Sequence, residues 1–238
     1  MSRFPRLPDL LTTANLCCGV ASILLASQGQ LTIACGLIFL AALFDVLDGF
    51  AARALGGGTP LGVQLDSLAD MVSFGVAPGM LVWFCFGSQA NEVLNIHVGQ
   101  LHGNWLPKLM HTYAIGSAWM IPTAALLIPV ASAWRLAKFN IDGRQTHGFL
   151  GLPTPANALF WASVPLILSD VALRTTDQIN AYKPQFHWGP GTDQLREKLL
   201  TSHEHAAIVV SITALLLGIL MLSSLPLPSL KFKHFNWK

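Results

Sequence analysis

Apolar residues along this chain gather into long blocks separated by short polar, glycine or proline punctuation, with no two-residue alternation to suggest strands. A helix needs about 20 mostly apolar residues to cross the hydrocarbon of a bilayer, and six blocks approach that length: 10–27, 31–55, 61–86, 113–134, 155–173 and 205–222. Gln28-Gly29-Gln30 leaves room only for two antiparallel neighbours, and Gly56-Gly57-Gly58-Thr59-Pro60 makes a second tight turn. Pro122 and Pro129 fall inside the fourth block, where neighbouring helices can satisfy the carbonyls that proline frees. The pattern predicts an all-α, polytopic integral membrane protein of about six transmembrane helices. Residues 1–238 are expected to form one transmembrane domain, with a helix pair at 38–80 that holds the unusual chemistry and a flexible tail at 223–238. No internal repeat or low-complexity tract interrupts this order.

Composition sharpens the reading. Of 238 residues, 53% are hydrophobic and only 11% are Asp, Glu, Lys or Arg, less than half the roughly 25% charged fraction of soluble domains. So few charges cannot cover so much apolar surface in water. The net charge of +2 is too small for a polyanionic partner, so no nucleic acid is expected. Cys17, Cys18, Cys35 and Cys85 all lie in apolar blocks without a C-x-x-C pair, as buried free thiols do. His203-Glu204-His205 lacks the i, i+4 spacing of a zinc helix.

Positive loops stay in the cytoplasm. With the N-terminus inside, the inner segments hold Arg3, Arg6, Arg53, Arg135, Lys138, Arg144, Lys231, Lys233 and Lys238, nine of the fourteen basic residues. Both termini are therefore expected on the cytoplasmic side of the inner membrane. Arg3 and Arg6 before an apolar run also fit the start of a cleaved signal peptide, but this run leads straight into further spans.

The acids are the anomaly. Of twelve Asp and Glu, Asp45, Asp48, Asp66 and Asp70 fall within 26 residues, all in predicted spans. Each would cost roughly 2.5–3.5 kcal/mol at a helix centre, so four without partners would cost on the order of 10–14 kcal/mol. Both pairs lie toward the cytoplasmic ends of their helices, beside the glycine turn, where a wet cavity supplies part of the compensation. Asp45 and Asp48 share a face with Gly49 and Ala52, while Gly62, Asp66 and Asp70 step along one stripe of the next helix. A tight antiparallel turn brings these stripes face to face. Four carboxylates beside a single cation, Arg53, call for more positive charge. Two divalent metals would supply it, and an all-oxygen site suits Mg²⁺ or Mn²⁺. The competing reading pairs some acids with Arg53 and protonates others. For Gly49 and Gly62 ordinary small-residue packing also stands. The glycine run lacks the Lys-Ser/Thr of a P-loop and reads as a flexible turn.

Written out, Asp45-Val-Leu-Asp48-Gly49-Phe-Ala-Ala52-Arg53, eight residues, Gly62-Val-Gln-Leu-Asp66-Ser-Leu-Ala-Asp70 resembles the complete signature of the CDP-alcohol phosphotransferase family. The resemblance implies a six-helix membrane enzyme, usually a homodimer, that moves a phosphatidyl or similar group from a CDP-linked donor to an alcohol and releases CMP. Further stretches are similar to the branch of the family that uses CDP-diacylglycerol and L-serine: Leu11-Thr-Thr-Ala-Asn15-Leu-Cys-Cys-Gly19, Ser73-Phe-Gly-Val-Ala-Pro78, Arg135-Leu-Ala-Lys-Phe-Asn140 and Phe149-Leu-Gly-Leu-Pro-Thr-Pro-Ala-Asn157. Glycerol phosphate, inositol phosphate or choline are the alternative acceptors, and an ion or metal transporter is the alternative from another class.

The resemblance also implies roles. Asp45, Asp48 and Asp66 would be metal ligands with Asp70 close to one metal, and Asp70 would be the general base. Asp48, Gly49, Arg53, Thr59 and Gly62 would contact the CDP portion. Asn15 is a further candidate for cytidine, with an interhelical hydrogen bond as its competing reading. A serine pocket wants a cation and acceptors, and Arg135, Lys138 and Asn140 at the end of the fourth span are the candidates. Snorkelling and positive-inside anchoring are the competing readings for the two cations.

Overall fold

The computed structural model describes residues 6–87, 120–141, 149–181 and 193–227. Its helices, in chain order, are α1 (Leu7–Ser27), α2 (Leu31–Ala54), α3 (60–87), α4 (Met120–Ile141), α5 (Thr154–Ala181) and α6 (Asp193–Leu222). A two-residue antiparallel ribbon pairs Phe149 with Leu227 and Leu150 with Pro226, so the chain after α6 returns to the segment before α5. Five stretches are long and apolar enough to cross a membrane: α1, α2, Pro60–Phe86, α4 and His205–Leu222. The chain is thus an all-α, multi-pass membrane protein.

The expected block at 155–173 is helical within α5, although α5 is not among those five. The fourth helix runs to Ile141, seven residues past the expected end, because its polar residues find partners on neighbouring helices. The expected start of that span, 113–119, and the polar stretch 88–111 lie outside the described residues.

Small residues let the helices approach closely. Ser22 Oγ donates to the Ala34 carbonyl at 2.8 Å and ties α1 to α2 just before their turn, where Gly29 takes a positive φ of 79°. One core cluster joins Ala26, Ala34, Cys35, Ile38, Ala41, Phe74, Ala77, Leu81, Ala158 and Ala162. A second gathers Val82, Ile121, Ala124, Ile128, Trp161, Ala207, Val210 and Ala214 around α4 and α6. Lipid is as apolar as leucine, so association in a membrane relies on close contact between small side chains. Leu24, Leu43, Val46, Leu126, Ile212 and Leu216 are correspondingly exposed on the outer surface. The cysteines are all free, with Cys17 exposed and the other three buried.

The third helix is not a uniform α-helix. It is α-helical over Pro60–Asp70, widens to π geometry at Met71–Val76, resumes at Ala77–Val82 and widens again at Trp83–Gly87. Pro78 explains the first widening: it has no N–H to give the Phe74 carbonyl, and its ring crowds that carbonyl. The wide segment begins at the residue after Asp70, so the irregularity sits directly behind the acids.

Candidate active site

The N-terminal end of α1, the C-terminal end of α2 and the N-terminal end of α3 converge at one end of the bundle. The turn between α2 and α3 passes through Gly56 and Gly57 at φ of 88° and 108°, conformations open to glycine and strained for other residues. Thr59 then caps α3, its Oγ1 accepting from the Gly62 N–H at 2.9 Å. This sharp reversal places the acidic stripe of α3 opposite that of α2.

Carboxylate oxygens of Asp45, Asp48 and Asp66 lie within 4.8 Å of one another, a spacing that could hold a metal ion. Asp66 Oδ1 is buried with no protein hydrogen-bond partner. An orphaned buried anionic oxygen beside two more carboxylates is what a hard cation's donor set requires, so the residues fit a metal. Asp70 lies one helical turn deeper than Asp66, buried, and interacts electrostatically with the other three acids. Asn15 Nδ2 donates to Asp70 Oδ1 at 3.1 Å, and the Ser73 hydroxyl donates to the Asn15 carbonyl at 3.0 Å. Asn15 thus makes the interhelical bond that competed with its role toward cytidine.

A cavity opens from the acids toward the chain's N-terminal side. Asp48, Asp66, Gly49, Gly62, Thr59, Ala52, Gly57 and Gly58 line it, together with Arg6, Asp9 and Thr12 of the start of α1. A Cβ at Gly62 would stand 2.9 Å from Asp9 Oδ1 and 3.2 Å from Thr59 Oγ1, so a larger residue there would push these two side chains aside. The Arg53 guanidinium lies across Gly49, with Nη1 3.5 Å from where a Cβ would stand. Among the described residues no ion pair joins Arg53 to the acids, so their compensation has to come from elsewhere.

The three acceptor candidates part ways. Arg135 is buried, Nη1 donates to the Thr154 hydroxyl at 3.3 Å, and the Asp70 charge acts on it. Lys138 is exposed and reaches the Leu222 carbonyl at the end of α6, at 3.5 Å. Asn140 pairs with Ser67, its Nδ2 donating to Ser67 Oγ at 3.0 Å, on the outer side of α3.

Sequence reasoning missed Thr12, whose hydroxyl stands 2.7 Å from Asp48 Oδ2, and also Arg6, Asp9 and Thr154. A signal for Thr12 was present: Thr12, Asn15, Gly19, Ser22 and Ala26, all buried, follow helical spacing along one face of α1.

The profile of the CDP-alcohol phosphatidyltransferase family matches residues 6–227. A Helicobacter pylori protein named CDP-diacylglycerol--serine O-phosphatidyltransferase is 29% identical over 233 residues, covering 97% of this chain and 75% of the relative. A Mycobacterium leprae protein of the same name is 35% identical over 160 residues, 64% of this chain and 44% of the relative. An archaetidylserine synthase of Methanothermobacter thermautotrophicus is 35% identical over 161 residues, 67% of this chain and 57% of the relative.

Proposed function

This chain belongs to the CDP-alcohol phosphatidyltransferase family, and from that membership we propose that it transfers the phosphatidyl group of CDP-diacylglycerol to the hydroxyl of L-serine. The products are phosphatidylserine and CMP. The observation that carries the reading is the meeting of Asp45, Asp48 and Asp66, the last two lining a glycine-rich cavity, with Asp70 buried one helical turn beyond Asp66. The names of relatives from three genera support serine as the acceptor.

In this reading Asp45, Asp48 and Asp66, with Asp70 beside them, would hold two Mg²⁺ or Mn²⁺ ions, which would supply positive charge to the donor's pyrophosphate. Gly49 and Gly62 leave room for the nucleotide against the helix backbones, and Arg53 can fork onto its phosphate oxygens. Thr59 spends its oxygen on the Gly62 N–H and keeps its hydroxyl proton for the ligand. Asp70 takes the proton of the serine hydroxyl, whose oxygen forms the new bond to the phosphorus that bears diacylglycerol. The bond from that phosphorus to the bridging oxygen breaks, and its electron pair leaves with CMP. Asn15 holds the Asp70 carboxylate from the opposite side.

Nine of fourteen basic residues on one side support a site facing the cytoplasm across the inner membrane. The homodimer belongs to the same reading, as the family resemblance implies.

The test is CMP release by the purified protein from CDP-diacylglycerol with Mg²⁺ or Mn²⁺, with L-serine, glycerol phosphate, inositol phosphate or choline offered in turn. Serine alone should drive release. Chelation should stop it, and added metal should restore it. Release driven only by another alcohol would replace serine as the acceptor, and release in chelator would sink the metal assignment.

A further inference from the structure

Four buried polar atoms on the helices that pack against the wide turn behind Asp70 have no protein partner: Asn15 Oδ1, Arg135 Nε, Asn157 Oδ1 and Trp161 Nε1. Buried polar atoms in folded proteins are nearly always satisfied, so these exceptions ask what satisfies them. Both α4 and α5 pack against the π segment that follows Asp70. Arg135 reaches α5 through Thr154, and Thr154, Asn157 and Trp161 follow one another at i, i+3 and i+7 on a single face. Asn157 is 1% exposed and Trp161 likewise. None of the metal or nucleotide chemistry above uses them.

The atoms left over differ in kind. Arg135 Nε is a charged donor, whereas Asn157 Oδ1 is an acceptor. Thr154 and Asn157 are separated by about 4.5 Å along the helix axis, which is the scale of an amino acid's charged head. A carboxylate needs a donor such as Arg135, and an ammonium group needs an acceptor such as Asn157. Lys138 and Asn140 differ, since both stand at exposed positions and neither leaves a buried polar atom without a partner.

We propose that Asn157 is a specificity-determining residue of the acceptor site: its Oδ1 accepts from the α-ammonium group of the amino-acid acceptor while Arg135 takes the carboxylate. The hydroxyl is then left toward Asp70, since the helices that carry Arg135 and Asn157 both pack against the π segment that follows it. The proposal rests on the serine-transfer reading and adds the part that would recognise an amino acid.

The test measures CMP release by the wild-type enzyme, Asn157→Ala and Asn157→Asp. L-serine is compared with 3-hydroxypropanoate, which lacks the ammonium, and with ethanolamine, which lacks the carboxylate. Asn157→Ala should raise the serine KM about 10- to 100-fold, the effect of losing one hydrogen bond to a charged group, with the donor KM and Tm unchanged. It should also narrow the preference for serine over 3-hydroxypropanoate, and leave ethanolamine, which keeps its ammonium, more affected than 3-hydroxypropanoate. Asn157→Asp keeps the shape and the acceptor, so it carries the test even where the alanine variant fails to fold. Its serine KM should stay within a few-fold of wild type while its use of 3-hydroxypropanoate falls. An unchanged serine KM in Asn157→Ala, a parallel rise in the donor KM with a lower Tm, or a raised serine KM in Asn157→Asp would overturn the assignment. A wild-type enzyme that releases no CMP with serine would instead overturn the serine-transfer reading itself.

Discussion

The Thr12 hydroxyl stands 2.7 Å from Asp48 Oδ2 in the buried seam between α1 and α2, across 36 residues of sequence. The same oxygen lies 3.0 Å from the Pro8 carbonyl one turn back. A hydroxyl has one proton, and the shorter, charge-assisted bond to the carboxylate claims it. Thr12 therefore fixes which way an acid of the three-carboxylate cluster faces. Partners of metal-ligating groups are worth about 10- to 100-fold in metal affinity or activity. Thr12→Val keeps the shape and removes the proton, so it should raise the half-activating Mn²⁺ concentration about tenfold or more, while Thr12→Ser restores it. A Mn²⁺ titration of CMP release checks this, and a valine variant with a wild-type metal requirement would show that Asp48 needs no such orientation.

Asp70 should separate binding from chemistry. It is buried one helical turn beyond Asp66, and its Asn15 bond holds it by one oxygen and leaves the other for a proton. Asp70→Asn keeps that size while removing the base, which general-base catalysis values at about 10²- to 10⁴-fold. The variant should lose at least about 100-fold in kcat while its Kd for CDP-diacylglycerol stays within a few-fold of wild type. Single-turnover CMP release alongside equilibrium donor binding reads the two separately, and a near-normal kcat would remove Asp70 from the base role.

Much of this was legible because the bilayer makes a few features expensive. The lengths of α1, α2 and the last span follow from hydropathy alone, and four acids within 26 residues, each in an apolar block, could not be accidental. The end of α4 was misread for the same reason that the acids were found. Arg135, Lys138 and Asn140 look like residues leaving the membrane, yet partners on α5, α6 and α3 let the helix continue to Ile141. Thr12 and Asn157 carried less signal because a hydroxyl or amide in a span is cheap and common. Their importance depends on which helix faces them. Pro78 was visible in the sequence, but the wide turn it favours behind Asp70 was not.

Gly19 tests whether close packing, and not only chemistry, sets the position of Asp70. A Cβ on Gly19 would stand 2.8 Å from Ser73 Cα, a backbone atom on the wide segment of α3 that has no room to yield. Ser73 in turn bonds the Asn15 carbonyl, and Asn15 bonds Asp70, so a shift between α1 and α3 reaches the proposed base in two steps. Overpacking of this kind costs about 1–3 kcal/mol, and a displacement of about 1 Å at a reacting group can cost about 100-fold in rate. Gly36 on α2 supplies the contrast, since an added Cβ there meets nothing within 4 Å, and alanine favours the helix by up to about 1 kcal/mol. Gly19→Ala should therefore lower both Tm in detergent and kcat, while Gly36→Ala leaves kcat unchanged and Tm equal or higher. Thermal unfolding and CMP release measured on the two variants side by side decide the matter: equal losses at both positions would mean that the Gly19–Ser73 contact does not set the geometry of the site.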